Sequence, residues 1–176
     1  MKLFKCINED LKAAKKFSLT NKTIIFFFNR GFHSLMYYRL ANLFYRYKIP
    51  VLPAILTRII QIFYAIDIDY KAEINGGIVI VHGIGLVIGA GVKIKSNVIL
   101  FHGVTLGRRG IGPVISENDG YPFIEEDCII CTGAMLLGNI IIGKNTTIGA
   151  NCVITNNIAS NSICKIASDH FVTYNK

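Results

Sequence analysis

The first 66 residues show the hydrophobic spacing that is typical of helices. Apolar side chains recur three and four residues apart between Phe32 and Leu43, with arginines such as Arg39 placed between them. Two prolines interrupt the pattern, and a second apolar stretch follows that carries Arg58 and is about a dozen residues long, short of the roughly 20 that span a membrane. We predict helices over residues 1–66 that pack on one another or on the rest of the chain, or that lie against a membrane surface.

From Ile68 onward the spacing changes to six residues. The aliphatic positions are Ile88, Ile94, Leu100, Leu106, Ile124, Ile130, Leu136, Ile142, Ile148 and Ile154. Four residues after each comes a second small or apolar residue, as at Val92 and Cys128. Neither a helix nor a strand has a period of six, whereas a triangular coil of three short strands and about 18 residues per turn does. We therefore predict a parallel β-helix over residues 67–168, with the aliphatic residues pointing inward.

Two interruptions of the repeat carry further information. Ile80 and the matching residues before it stand two positions out of register with Ile88, which we interpret as an adjustment of the coil near His82. Residues 107–123 are rich in Gly, Pro, Asn and Asp and are predicted to leave the coil as a loop. Residues 169–176 are predicted to be a short C-terminal tail. The helices are expected to cap one end of the coil, and a trimer to cover its flat strand faces.

The charge of the chain is concentrated in its N-terminal third. Residues 1–60 hold 11 Lys+Arg and 2 Asp+Glu, whereas residues 61–176 hold 8 and 9. A basic, apolar segment favours an anionic partner such as membrane headgroups, a polyanionic polymer or nucleic acid. Nucleic acid is the least favoured, because no helix-turn-helix, zinc-finger or aromatic RNA-binding motif accompanies the charge. With no secretory signal at the N-terminus, we expect a cytoplasmic protein, held peripherally at the inner face of the plasma membrane.

The five cysteines favour reduced thiols, because their number is odd and they are widely spaced. Cys128 and Cys131 form a C-x-x-C, which is also found in redox sites and in zinc sites. No second pair of Cys or His stands nearby at metal spacing, and the repeat places Cys128 and Cys152 inward. We expect buried, unreactive thiols and no bound metal.

Four stretches resemble the hexapeptide-repeat acyltransferases, particularly their serine acetyltransferase branch. They are Asp67-Ile68, GGIVIVHGIGLVIGAGVKI at 76–94, VTLGRRG at 104–110 and GAMLLGNIIIGKNTTIGANCVI at 133–154. The resemblance covers roughly residues 30–165. It implies a left-handed β-helix, acetyl-CoA as acyl donor, and active sites at the seams between the subunits of a homotrimer or of a dimer of trimers.

The resemblance also implies roles for individual residues. His82 matches the general base, and an imidazole suits removal of a proton from an acceptor hydroxyl. Asp67 matches the carboxylate that orients this ring; the alternatives are a structural histidine and a turn-forming aspartate. The positions that hold CoA carry over onto Gly107, Thr132 and Ala150, although the family prefers Ala where Thr132 stands.

Three further residues are candidates for contact with the acceptor. His102 follows His82 by about one coil and is expected to face the same cleft or to be an exposed corner histidine. Arg108 begins the predicted loop and is expected to meet phosphates or an anionic acceptor, or to be solvated. Tyr121 precedes the proline that ends the loop.

Two departures from the serine-specific pattern bear on the acceptor. Those enzymes have an Asp directly before the catalytic His, where this chain has Val81, and an Arg-His pair where it has Gly120-Tyr121. Without these groups the ammonium and carboxylate of serine lack counter-charges. The chain looks closer to colanic-acid-type O-acetyltransferases, with which it shares a His-Gly-Val-Thr stretch at 102–105. The predicted acceptor is therefore a sugar hydroxyl, as a saccharide or a lipid-linked or nucleotide sugar, in capsule, O-antigen or exopolysaccharide synthesis.

Three other functions remain as alternatives. Serine O-acetylation for cysteine synthesis is the first, and Val81 and Tyr121 speak against it. A non-catalytic trimeric scaffold is the second, and the pairing of His82 with Asp67 speaks against that. A β-helix metalloenzyme of the carbonic anhydrase type needs three histidines, whereas the coil offers His82 and His102.

Overall fold

The N-terminal region is helical, as the spacing predicts. The computed structural model describes residues 2–110 and 120–166, and its helices are α1 (Lys2–Ser18), α2 (Lys22–Phe28), α3 (Arg30–Arg46) and α4 (Leu52–Tyr64). Asn29 caps α3 by accepting a hydrogen bond from the backbone N–H of Phe32 at 2.9 Å. Helix α4 is followed by Ala65, its C-cap residue, which adopts a left-handed conformation with φ 53°. Within the described residues, no helix has the length and apolarity to cross a membrane.

The rest of the described chain is a left-handed parallel β-helix. Its strands are β1 (Asp67–Ile68), β2 (Glu73–Ile74), β3 (Val79–Val81), β4 (Val87–Ile88), β5 (Lys93–Ile94), β6 (Ile99–Phe101), β7 (Thr105–Gly107), β8 (Phe123–Ile124), β9 (Ile129–Ile130), β10 (Met135–Leu137), β11 (Ile141–Ile142), β12 (Thr147–Ile148), β13 (Val153–Ile154) and β14 (Ile163–Cys164). They form three parallel sheets, in the orders β1-β4-β7-β10-β13, β2-β5-β8-β11 and β3-β6-β9-β12-β14. The three sheets are the three faces of the coil, and three corners join them.

The aliphatic repeat forms the core of the coil. From Ile68 to Ile148, the inward residue of every described strand through β12 is buried, and so is the second set at the corners, including Cys128 and Cys152. Fully burying such a side chain contributes about 1.5–3 kcal/mol. At the far end Ile154 is only partly buried, because no further regular coil covers it.

Both interruptions of the repeat are visible in the pairing of the strands, although Gly107 and Phe123, the ends of the predicted loop, belong to β7 and β8. Ile68 pairs with Ile88, 20 residues later, whereas Ile88 pairs with Leu106 after 18, so the coil that contains His82 is two residues longer. Leu106 pairs with Leu136 after 30 residues, which leaves room for a loop of a dozen residues between β7 and β8. Residues 111–119 of this loop, and the predicted tail 169–176, lie outside the described residues.

Helices α3 and α4 close the N-terminal end of the coil, as expected. Leu35, Tyr38 and Ile60 belong to the same apolar core as the strands of the first turn. The hydroxyl of Tyr38 donates a 2.7 Å hydrogen bond to the carbonyl of Ala72, and burial raises the pKa of Tyr38 to about 12. The hydroxyl therefore stays protonated and keeps this bond across the physiological range.

The sequence places Arg39 between the apolar positions of α3, where a charged side chain is expected to face solvent. In the structure its side chain is only 5% exposed. Its guanidinium donates to both carboxylate oxygens of Asp10 in α1, at 2.6 and 2.9 Å, and to the carbonyls of Ile74 and Asn75. The carboxylate of Asp10 also accepts the backbone N–H groups of Gly77 and Ile78. This ion pair joins two helices to the backbone that leads into β3.

Candidate functional site

Four of the predicted site residues form one column at a corner of the coil. This corner follows the sheet of β3, β6, β9 and β12, and the residues that come after these strands are His82, His102, Thr132 and Ala150. The backbone shows the stacking, since Gly133 N–H donates to the carbonyl of His102 at 3.0 Å and Asn151 N–H to that of Thr132 at 2.9 Å. The structure therefore brings the candidate base and two candidate CoA positions to one edge.

His82 presents an exposed imidazole at the start of this column. It adopts a left-handed conformation with φ 63°, which is uncommon for a residue with a side chain and turns the chain sharply after β3. Its ring lies 5.8 Å from that of His102 between centroids, at an interplanar angle of 68°. Nδ1 of His102 is buried and has no hydrogen-bond partner among the described residues. The two imidazoles thus lie close together in an edge-to-face arrangement.

Asp67 lies on the neighbouring strand and not in the column. It is half-buried at the start of β1, and its backbone N–H donates to the carbonyl of Leu86, at the end of the turn that holds His82. No hydrogen bond joins its carboxylate to His82 within the described part of the chain. The predicted pairing of these two residues therefore stays a prediction.

The remaining candidates lie at a different corner. Gly107 ends β7 and pairs with Leu137, and Arg108 follows it, half-buried. The ring of Tyr121 lies over Gly89 and Gly91, where an added Cβ would come within 2.7 and 2.3 Å of the ring. Tyr121 and Arg108 follow a different sheet of the coil from His82, so they lie away from it within one chain. Their contact with the acceptor stays a prediction.

A pocket of about 210 Å³ connects His82 to the helices. Its wall includes Phe28, Asn29 and Arg30 between α2 and α3, with Val81 and His82 at the strand side. The spacing of apolar residues does not predict this pocket, because residues more than 50 positions apart line it. The feature of the sequence that relates to it is Gly31, which follows Arg30.

Gly31 lets α3 lie directly on β3. A Cβ added to this glycine would stand 2.3 Å from the carbonyl oxygen of Ile80, so any other residue would push the helix away. The close approach places the beginning of α3 beside the strand that ends at His82.

The cysteines are free thiols, and among the described residues no group of three His, Cys, Asp or Glu is placed to hold a metal. Cys128 and Cys152 point into the core as predicted, and Cys131 is half-buried. Burial raises the pKa of the Cys128, Cys131 and Cys164 thiols. A raised pKa lowers the thiolate fraction at neutral pH, which argues against a redox-active C-x-x-C.

We expect iodoacetamide to alkylate these three thiols at least about tenfold more slowly in the folded protein than in urea near neutral pH. Because the thiolate forms only as pH rises toward the raised pKa, the rate in the folded state should still be climbing two pH units higher. Mass spectrometry of the modified peptides measures each rate, with Cys6 of α1 as internal reference. Equal rates in the folded and unfolded protein would contradict the burial argument.

The sequence and the fold are both similar to known transferases. Residues 121–156 match the family model described as bacterial transferase hexapeptide (six repeats). The serine acetyltransferase of Buchnera aphidicola is 36% identical over 152 residues, which is 85% of this chain and 57% of that protein. The serine acetyltransferase of Bacillus pumilus is 36% identical over 132 residues, or 75% of this chain and 59% of that protein. The chain thus spans less than three fifths of these relatives.

Solved structures of other serine acetyltransferases are similar to this chain in fold. The serine acetyltransferase of Neisseria gonorrhoeae in complex with serine gives a TM-score of 0.85 at 27% identity, covering 94% of this chain and 67% of that one. The serine acetyltransferase of Brucella abortus in complex with coenzyme A gives 0.86 at 26% identity, covering 94% and 66%. These findings support the serine acetyltransferase-like branch, and the expected closeness to colanic-acid-type enzymes finds no support in them.

Proposed function

We infer that this chain, which is similar to the hexapeptide-repeat transferases, moves an acetyl group from acetyl-CoA to a hydroxyl. The observation that carries this proposal is His82, held by an unusual backbone turn at an open corner of the coil and beside a pocket. The similarity to serine acetyltransferases, one of them solved with coenzyme A, supports the choice of reaction and of acyl donor.

In the proposed reaction His82 acts as general base. A ring nitrogen takes the proton of the acceptor hydroxyl while its oxygen attacks the thioester carbonyl. The C–S bond then breaks, and the departing CoA sulfur takes the proton back from the imidazolium. The products are the acetyl ester and CoA, and no covalent intermediate with the protein is needed, because the thioester is already reactive toward a deprotonating hydroxyl.

Other residues would hold the reactants. Asp67 would orient His82 and stabilise the imidazolium, which requires its carboxylate to reach the ring when substrate is bound. Gly107 would leave room for the pantetheine arm, because among the described residues a Cβ there would meet nothing nearer than 3.9 Å. Thr132 and Ala150 would line the same arm at the His82 corner.

We propose that a homotrimer completes this site. The candidate residues occupy two corners of a single coil, and side-by-side packing would place the His82 corner of one subunit against the Gly107 corner of the next. The flat faces also leave apolar side chains in solvent, including Val87, Met135 and Val153, which a neighbouring subunit would cover. A dimer of such trimers is compatible with the same contact.

The acceptor that the comparisons favour is L-serine, in place of the sugar that the sequence pattern predicts. The relatives and structures named above are serine acetyltransferases, and one of them holds serine. We therefore propose serine O-acetylation as the first candidate.

The pocket keeps the sugar acceptor as a second candidate. Among the described residues that line it, Asp10 carries the only carboxylate, and Arg39 and two backbone N–H groups already occupy its oxygens. The ammonium of serine thus has no available carboxylate there, and Val81 offers none. Gly120 is also closely packed, because a Cβ there would stand 2.8 Å from Cβ of Asn139.

Release of CoA thiol from acetyl-CoA separates the two acceptors. We expect turnover with one acceptor class and a rate at least about tenfold lower with the other, using L-serine against a panel of nucleotide sugars and oligosaccharides. Turnover with serine establishes the first candidate, and turnover with a saccharide establishes the second. Absence of turnover and of CoA binding would leave only the scaffold alternative.

A further inference from the structure

Helix α2 keeps most of its apolar side chains in solvent. Phe27 and Phe28 are 62% and 81% exposed, Ile24 and Phe26 are 49% and 43% exposed, and Ile25 alone in the helix is buried. Leu19, in the link between α1 and α2, is 92% exposed. We call Leu19, Ile24, Phe26, Phe27 and Phe28 the aromatic surface. Scattered exposed apolar residues are ordinary, but a group this dense marks a contact site.

The aromatic surface is held in place and is not a frayed end. His33 of α3 lies with Nε2 2.7 Å from the carbonyl oxygen of Phe26. The hydroxyl of Tyr64, the last residue of α4, lies 3.3 Å from Nδ1 of the same histidine. The rings of Phe26 and Phe32 are 6.0 Å apart. The helix is therefore tied to α3, and through His33 to α4, while its outer residues face solvent.

The charged residues of the segment that carries the aromatic surface are all of one sign. Residues 11–66 contain no Asp or Glu and nine Lys+Arg. Lys15 and Lys16 stand in the last turn of α1, and Lys22 begins α2. These three lysines are exposed, and none of them has a carboxylate partner within the described residues. Only an anionic partner complements such a surface.

We propose that the aromatic surface and Lys15, Lys16 and Lys22 dock this protein on an anionic phospholipid bilayer. The aromatic rings would enter the boundary between headgroups and acyl chains, and the lysines would contact lipid phosphates. A seven-residue helix is far too short to span a bilayer, so the contact is interfacial. A second copy of the chain is a poor occupant, because it would bring the same carboxylate-free surface against its like.

The docked orientation has a consequence for the pocket. Phe28 belongs to the aromatic surface and also lines the pocket that reaches His82. The pocket therefore lies next to the bilayer in the docked protein. The docking itself does not depend on the acceptor or on the acetyl transfer proposed above.

Co-sedimentation of the full chain with vesicles tests this proposal. The vesicles are phosphatidylcholine alone, or phosphatidylcholine with about 30% phosphatidylglycerol, a fraction within the range of anionic membranes. We expect binding to the anionic vesicles only, with release as salt is raised. The triple substitution Lys15→Gln, Lys16→Gln and Lys22→Gln should lower the partition coefficient ~10²-fold. The pair Ile24→Ser and Phe27→Ser should lower it about tenfold or more.

Matched controls come from the other end of the coil. Ile163 is 77% exposed and Lys165 is exposed, so Ile163→Ser and Lys165→Gln remove comparable groups far from α2 and should leave binding unchanged. Circular dichroism verifies that each variant is folded. Equal binding to both kinds of vesicle, or no effect of the α2 variants, would overturn the proposal. So would an oligomer, measured by light scattering, that the Ile24/Phe27 variant dissociates while vesicles bind neither protein.

Discussion

Replacement of His82 with asparagine is expected to lower kcat for acetyl transfer ~10²-fold or more, which is the usual effect of losing a positioned general base. Asparagine is the substitution of choice because it tolerates the left-handed backbone, here φ 63°, better than alanine does. The coil should therefore keep its turn, and the loss should fall on proton removal. CoA release under saturating acetyl-CoA measures kcat directly.

The same substitution at His102 is the matched control. His102 lies one coil later in the same column, with its ring 5.8 Å from that of His82. If it contacts the acceptor or the cosubstrate and does not remove the proton, His102→Asn should raise KM more than it lowers kcat. Retention of more than about a tenth of wild-type kcat by His82→Asn would show that another group is the base.

The fold is predictable from the sequence because its cause is local. Each six-residue unit needs one aliphatic side chain that points inward and one small or apolar residue at the corner. The same pattern is repeated from Ile88 to Ile148. The two added residues before Ile88 interrupt this period, so the spacing also predicts the longer coil around His82. The insertion of about a dozen extra residues between β7 and β8 can be seen in the spacing for the same reason.

The candidate site is only partly predictable, because it depends on how the helices meet the coil. The column from His82 to Ala150 follows from the period of the coil. The separation of Tyr121 from His82 follows from which corner each residue occupies, and a resemblance of motifs does not specify that within one chain. The pocket beside His82 requires Gly31 to lie on Ile80, a contact between residues 49 positions apart in the chain.

The acceptor is the least predictable feature for a related reason. The groups missing at Val81 and Gly120 argue for a sugar, whereas the relatives that match over most of this chain are serine acetyltransferases. The motif residues indicate the acyl-transfer chemistry that these enzymes share. They say less about the acceptor, because side chains from separate elements bind it. A counter-charge for serine can come from a neighbouring subunit as well as from the residue before the base.

Arg39 shows most clearly what the spacing of apolar residues misses, and its removal should have a large effect on stability. Arg39→Met deletes the guanidinium and leaves the buried carboxylate of Asp10 with only the N–H groups of Gly77 and Ile78. Breaking a buried ion pair by removing one partner costs about 3–5 kcal/mol, because the other charge remains uncompensated. We expect a loss of that size in the free energy of unfolding, measured by urea denaturation.

A double substitution separates the uncompensated charge from the loss of packing. Asp10→Asn combined with Arg39→Met removes both charges, and should therefore cost less than the sum of the two single changes. Lys5→Met is the matched control, since Lys5 and Glu9 form a solvent-exposed pair at 3.9 Å in the same helix, and such pairs contribute about 0–1 kcal/mol. If Arg39→Met were no more harmful than Lys5→Met, the ion pair would not be what fixes α1 and α3 to the first coil. The position of β3, and with it that of His82, would then rest on apolar packing alone.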